Sequence, residues 1–215
     1  MTYEIRRFFR RLRRWIEQFL NDRLPNRPIV EPGAVVSFRA KIEGHAKNIR
    51  VRKGARVREL AWLNCLDAGS SIEIGEGVLI MPYAKLVAGF NGKLTIGRGC
   101  TIHSFDVLYG FTGGLTLGEE VRTGTGVTMI SANHNFDDLT RDIHKQGYTS
   151  KGVTIGDNVW IGAGVIILDG VTIGSNTVLG AGTVVTKSMP SDSVCVGVPA
   201  RVARRRGEVL PSDQP

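Results

Sequence analysis

Few residues in this chain can do acid–base or nucleophilic chemistry near neutral pH. The 215 residues include four histidines (His45, His103, His134 and His144) and three cysteines (Cys65, Cys100 and Cys195). The odd cysteine count, without a CxxC pair, argues against a disulfide framework or a cysteine zinc site and fits a reducing cytoplasm. His134 and His144 stand ten residues apart, too far for the close pair that a histidine zinc site on a regular scaffold would want. The remaining possibility is a lone imidazole acting as a general base, for which histidine has the natural pKa.

The element that must position such a base is a six-residue repeat. Residues 155–190 read IGDNVW IGAGVI ILDGVT IGSNTV LGAGTV VTKSMP, with Ile155, Ile161, Ile167, Ile173, Leu179 and Val185 opening successive hexads. An aliphatic residue every sixth position, mostly followed by Gly, is the mark of a parallel β-helix. Each hexad gives one short strand and one corner, and three make a triangular coil of 18 residues. The phase continues upstream, with triplets opening at Val51, Ile74, Ile96, Leu117, Ile155 and Ile173. Beyond 18 residues per coil the spacings leave extras of 5, 4, 3, 20 and 0. The first three read as corner bulges. The 20-residue excursion, at about 131–150, reads as a long functional loop without structure of its own. His134 sits where that loop departs, 17 residues after Leu117. Residues 29–50 carry only a weak pattern and read as an irregular first coil.

The ends differ from the middle. Residues 1–28 hold eight Arg against Glu4, Glu17 and Asp22, and RVARRR at 201–206 adds four more, so the net charge of +8 lies at the ends of a near-neutral body. That distribution does not suit a nucleic-acid-binding face. Ile5, Phe8, Phe9, Leu12, Trp15, Ile16, Phe19 and Leu20 share one arc of about 140° at helical period, and Pro25 and Pro28 end it. Residues 1–28 therefore read as a basic amphipathic helix that caps the solenoid or, through residues 1–24, rests on an anionic membrane surface. Residues 29–190 read as the β-helix and 191–215 as an extension with a basic tail. No apolar run is long enough for a spanning helix.

The hexads, the run GVTIGDNVWIGAGVIILDGVTIGSNTVLGAGTVVTKSMP and the later GVPARV resemble the hexapeptide-repeat acyltransferases, over about residues 74–206. Within them the pattern is similar to galactoside, maltose and surface-polysaccharide O-acetyltransferases. The resemblance implies an all-β, left-handed parallel β-helix, against the general right-handed crossover rule. It implies a homotrimer, acetyl-CoA as donor without a metal, and a sugar or glycan acceptor. It places the catalytic base at His134, an oxyanion donor at the Ala163 N–H, and Trp160 beside the thioester, where the sequence sets a Trp at a corner. Ser104 and Asp106 match acceptor-binding positions, commonly Asn in the family, and His103 is adjacent. Asp106 also breaks the local rule, since a charge stands where small or apolar residues are usual. Gly162, Ala163, Gly180 and Ala181 offer backbone to the pantetheine arm, and Thr186, Lys187, Arg201 and Arg204 match positions near the nucleotide end.

What orients His134 stays open between Asp137, Asp138 and a main-chain carbonyl. The acceptor also stays open, with an antibiotic or amino sugar as the enzyme alternative and a non-catalytic scaffold as the other. A cytoplasmic location, or one at the inner face of the membrane, follows from the cysteines and the basic N-terminus.

Overall fold

The computed structural model describes residues 26–208, and the N-terminal segment read as an amphipathic helix lies almost wholly outside them. The chain winds through about seven turns of a β-helix. Its first flat side is a seven-stranded parallel sheet from Ile29–Val30 to Thr172–Ile173, and its third runs from Lys41–Gly44 to Val184–Val185. The second side runs from Val35–Val36 through Val178–Leu179 and takes two further strands. Ser193–Val196 adds in parallel to Val178–Leu179, and Arg201–Arg205 folds back antiparallel on it. The solenoid therefore continues past residue 190, the boundary expected from the hexads, because Ser193–Val196 supplies its last parallel rung.

The expected phase is the observed register. Val51, Ile74, Ile96, Leu117, Ile155 and Ile173 are Cα partners in sequence along the first sheet. Residues 29–50, expected to be irregular, form a regular first coil: Ile29 pairs Arg50, Val30 pairs Val51, and Lys41–Gly44 pairs Trp62–Cys65 throughout. The repeat is hard to see there because Lys and Glu fill outward positions that carry Thr or Val in later coils.

The inward residue of each later strand is buried, Ile74, Ile80 and Leu86 in one coil and Ile155, Ile161 and Ile167 in another, while Val30, Val36 and Ile42 of the first coil are partly buried. Strand alternation sends the neighbour outward. The first sheet thus shows solvent a column of Thr95, Thr116, Thr154 and Thr172. The third sheet's outward column begins with Lys41, Trp62 and Lys85 and turns mostly apolar in the later coils, with Val107, Thr128, Ile166 and Val184.

All the extra residues leave at one edge. From Val51 to Val57 to Leu63, and at the same steps in later coils, the first two sides advance six residues each. The surplus of 5, 4, 3 and 20 residues falls between the third side and the next first side, after Leu63, Leu86, Leu108 and Met129. The long excursion is not structureless. Asn133–His134 and Tyr148–Thr149 pair as an antiparallel hairpin, with a short 3-10 turn at Ile143–Lys145.

Two neighbouring residues test the inward–outward assignment. Ile96→Ala should cost about 2–5 kcal/mol, the usual range for a large-to-small core change, whereas Thr95→Ala should stay within about 0.5 kcal/mol. Urea unfolding of both variants measures this; equal losses would contradict the register.

Candidate active site

The second-to-third corner of each coil is built on one template. By register, Ser104, Thr125, Ala163 and Ala181 occupy one position in successive coils, and His103, Gly124, Gly162 and Gly180 the position before. The structure therefore brings the expected acceptor residues His103 and Ser104 and the expected pantetheine residues Gly162, Ala163, Gly180 and Ala181 onto one edge. Ser104 and Ala163 lie two coils apart, roughly 10 Å at strand spacing.

That edge changes character along its length. The next position holds Leu60, Tyr83 and Phe105 in the earlier coils, all in left-handed backbone with φ of 61°, 65° and 65°. Tyr83 and Phe105 stack at 5.2 Å. In the later coils the same position holds Gly126, Gly164 and Gly182, where an added Cβ would meet nothing within 4 Å. The result is a bare backbone track, flanked by the small residues Thr125, Ala163 and Ala181. The sequence pointed to the residues before and at the track but not to these three glycines; the GxG spacing was the available signal, and all three take left-handed backbone with φ of 74°, 66° and 70°. Ala163 is exposed, and its N–H makes no hydrogen bond within the described residues, so it is open to an incoming oxygen.

Asp106 does something other than expected. Its side chain is fully buried. Oδ2 accepts hydrogen bonds from the His103 N–H at 2.9 Å and the Thr123 hydroxyl, and Oδ1 accepts one from the Val127 N–H at 2.8 Å. Burial pushes this carboxyl from its ordinary 3.8 up to about 6, against the downward pull of its hydrogen bonds from Thr123, Val127, His103 and Gly126. With its oxygens occupied and its side chain inward, Asp106 holds the corner that presents Ser104; it is not placed to bind an acceptor directly. The charge broke the hexad rule because two coils share this one carboxylate as a staple. His103 is half-buried, and its Nδ1 is buried without a partner.

His134 lies elsewhere. It is exposed on the hairpin that leaves the third-to-first corner, at the opposite end of the third sheet from Ala163. Its imidazole makes no hydrogen bond within the described residues. Neither acidic candidate for orienting it is engaged with it: Asp138 accepts from the Thr140 N–H at 2.9 Å and its hydroxyl at 2.6 Å, and among the described residues Asp137 makes no hydrogen bond or ion pair to it. The hairpin root is stapled instead by Ser150, whose hydroxyl donates to the Ser131 carbonyl and accepts from the Gly113 N–H. Trp160 is not at a corner. It opens Trp160–Ile161 on the flat second sheet, between Arg122 and Val178, and is 58% exposed.

Thr186 and Lys187 stand exposed just past Val184–Val185, on the hairpin's edge but in the last coil. Arg201 and Arg204 belong to the antiparallel strand closing the second sheet, where Arg204 turns toward the Glu208 carbonyl at 2.9 Å. One chain thus divides the expected residues between two edges and the second sheet, with Asp106 inside. All three cysteines are buried, and burial pushes the Cys65 and Cys100 thiols up to about 11, so neither offers a thiolate. Among the described residues no three of His, Cys, Asp and Glu cluster as metal ligands.

Residues 152–187 match the family model for the bacterial transferase hexapeptide, six repeats. The chain is 39% identical over 135 residues to a galactoside O-acetyltransferase of Lactococcus lactis, covering 62% of each chain. It is 39% identical to nodulation protein L of Rhizobium meliloti, covering 60% of this chain and 68% of that one. It is 43% identical to a putative acetyltransferase of Schizosaccharomyces pombe, covering 70% and 67%. Against a probable acetyltransferase of Mycobacterium tuberculosis, 30% identical, the match spans 49% of the relative's length. The chain therefore spans about half to two thirds of several of these proteins. A solved structure of a mutant of AntD, an N-acyltransferase from Bacillus cereus in complex with dTDP and coenzyme A, overlays with a TM-score of 0.59 at 22% identity, covering 82% and 83% of the two chains. That likeness is one of fold.

The Asp106 staple predicts a pH signature. Its folded-state value lies above the ordinary one, so its favourable contribution is complete below about 4 and is lost as pH rises through about 6. The stability of wild type relative to Asp106→Asn should fall across that window in urea titrations; a rise would contradict the assignment.

Proposed function

The chain belongs to the hexapeptide-repeat acyltransferase family, and from that premise we propose that it moves an acetyl group from acetyl-CoA to a hydroxyl of a sugar or surface-polysaccharide precursor. The observation that carries this reading is the pairing of a bare backbone track with an exposed imidazole on a stapled hairpin. The narrow pantetheine arm fits over Gly162–Gly164 and Gly180–Gly182. The His134 imidazole removes the acceptor proton as that oxygen attacks the thioester carbonyl. The Ala163 N–H stabilises the tetrahedral oxyanion. The intermediate collapses with loss of the CoA thiolate, which takes up the proton from the imidazolium, so no acyl-enzyme forms. Ser104 contacts the acceptor, Trp160 bounds the slot, and Lys187, Thr186, Arg201 and Arg204 lie toward the nucleotide phosphates.

In one chain the imidazole and the track stand at opposite ends of the third sheet. The site is completed by a second copy. The apolar column Val107, Ile166 and Val184 on that sheet is the face to bury, and packing it around a threefold axis sets the hairpin edge of one protomer against the track edge of the next. We therefore propose a homotrimer with three shared sites. Transfer to oxygen rather than nitrogen is favoured by the galactoside O-acetyltransferase relatives, of which the Escherichia coli protein is 37% identical over 154 residues. The protein would work in the cytoplasm, with residues 1–24 as the candidate membrane contact.

His134→Ala should lose at least about a hundredfold in turnover, the usual worth of a general base, with acetyl-CoA affinity nearly kept. Steady-state kinetics with a panel of sugars, nucleotide-sugars and glycans, with products identified by mass, tests this; near-normal turnover in the variant would overturn it. Activity should also persist in EDTA, and loss restored by zinc would contradict the metal-free mechanism.

A further inference from the structure

Among the described residues the His134 imidazole has no side-chain hydrogen-bond partner, so its position is inherited from the hairpin backbone. His134 is the direct cross-strand partner of Tyr148, and the next rung is closed by the Asn135 N–H on the Gly147 carbonyl at 3.1 Å. The Tyr148 ring rests on Phe90, 4.7 Å between centroids. Phe90 in turn meets Phe111 edge-on at 5.2 Å, and Phe111 meets Tyr109 at 5.5 Å. An aromatic column thus rises from the bulged corners of two earlier coils to the strand opposite the base.

Phe90 is an odd residue to find there. It is 45% exposed, and Phe90 and Asn91 both take left-handed backbone with φ of 55° and 59°. Bulky side chains adopt that conformation only where the surroundings over-determine it. They do here. From the coil before, the Asp67 carboxylate accepts the Asn91 N–H at 3.3 Å; from the coil after, the Thr112 hydroxyl donates to the Phe90 carbonyl at 2.8 Å. The solenoid itself has no need of this bulge, because Ile167 reaches Ile173 at the same corner with no extra residue.

We propose that Phe90 is a positioning residue for the transfer reaction: clamped on the solenoid, it carries Tyr148 and so sets where the His134 imidazole stands. This inference rests on His134 as the base. The test uses the full chain, acetyl-CoA and a nitrophenyl β-galactoside, with thiol release for turnover and amide hydrogen exchange for the hairpin. Phe90→Ala should lower kcat by about tenfold to a hundredfold, the scale of a misplaced catalytic group, while the KM for acetyl-CoA stays within about twofold. The Asn135 amide should exchange at least about tenfold faster with the core Leu108 amide unchanged, as for local opening. Phe90→Tyr should restore both. Tyr148→Ala, on the hairpin and off the solenoid, should match Phe90→Ala and carries the test if that variant does not fold, and the double variant should be no worse than either single one. Wild-type kcat in Phe90→Ala, unchanged Asn135 protection or additive losses would overturn the brace. His134→Ala run in parallel judges the base separately: if it keeps turnover the base reading falls, and the exchange rates alone decide the brace.

Discussion

Parallel stacking allows a coil no slack along its flat sides. Each backbone N–H on a side must meet a carbonyl of the neighbouring coil, and each aliphatic residue must drop into the core above its counterpart. A residue inserted in a side would turn every later side chain to the wrong face. Insertions are therefore confined to corners, and in this chain to one corner. Leu63, Leu86, Leu108 and Met129 each precede a departure of different length, while the steps from Ile74 to Ile80 to Leu86 stay at six residues. The constraint sorts the molecule into three rigid faces, two tight edges, of which the second-to-third carries the backbone track, and one edge free to grow.

The track edge and the free edge suit different tasks. The track edge repeats the same turn from coil to coil, so removing side chains from it produces a straight track of backbone; Gly126, Gly164 and Gly182 do that. The free edge can carry a protrusion because it is already bulged, and the bulges of the preceding coils give the hairpin something to stand on. The backbone track and the His134 hairpin are thereby separated by the width of a sheet. The proposed sharing of a site between copies would bring the two together.

Much of this was legible in the hexads. The phase from Val51 to Ile173 is the observed ladder, and the surplus per coil predicted where the chain would leave it. The first coil was hidden because the charged outward residues Lys41 and Glu43 obscured the pattern, although Val30, Val36 and Ile42 were in phase. Asp106 drew attention as a charge where small or apolar residues are usual, and the structure places it inward. Its role was not readable, because the donors from Thr123 and Val127 come from the next coil. The hairpin was missed because Asn133–His134 and Tyr148–Thr149 lack the alternation and turn that announce a strand pair, and its support comes from Phe90, some sixty residues from Tyr148 in the chain. Trp160 looked like a corner residue when hexads were cut at the aliphatic position; the strand begins one residue earlier.

The central claim is that one chain supplies the imidazole and another the track. Mixed trimers test it most directly. A His134→Ala chain and an Ala163→Trp chain, each inactive alone, are coexpressed and the mixed assemblies isolated by differential tags. If each site draws on two neighbours around a closed ring of three, every mixed trimer keeps one intact site in three, so the isolated mixed assemblies should recover about a third of wild-type activity. Mixed assemblies of verified composition that stay as inactive as either parent would contradict the shared site and return the whole reaction to a single chain.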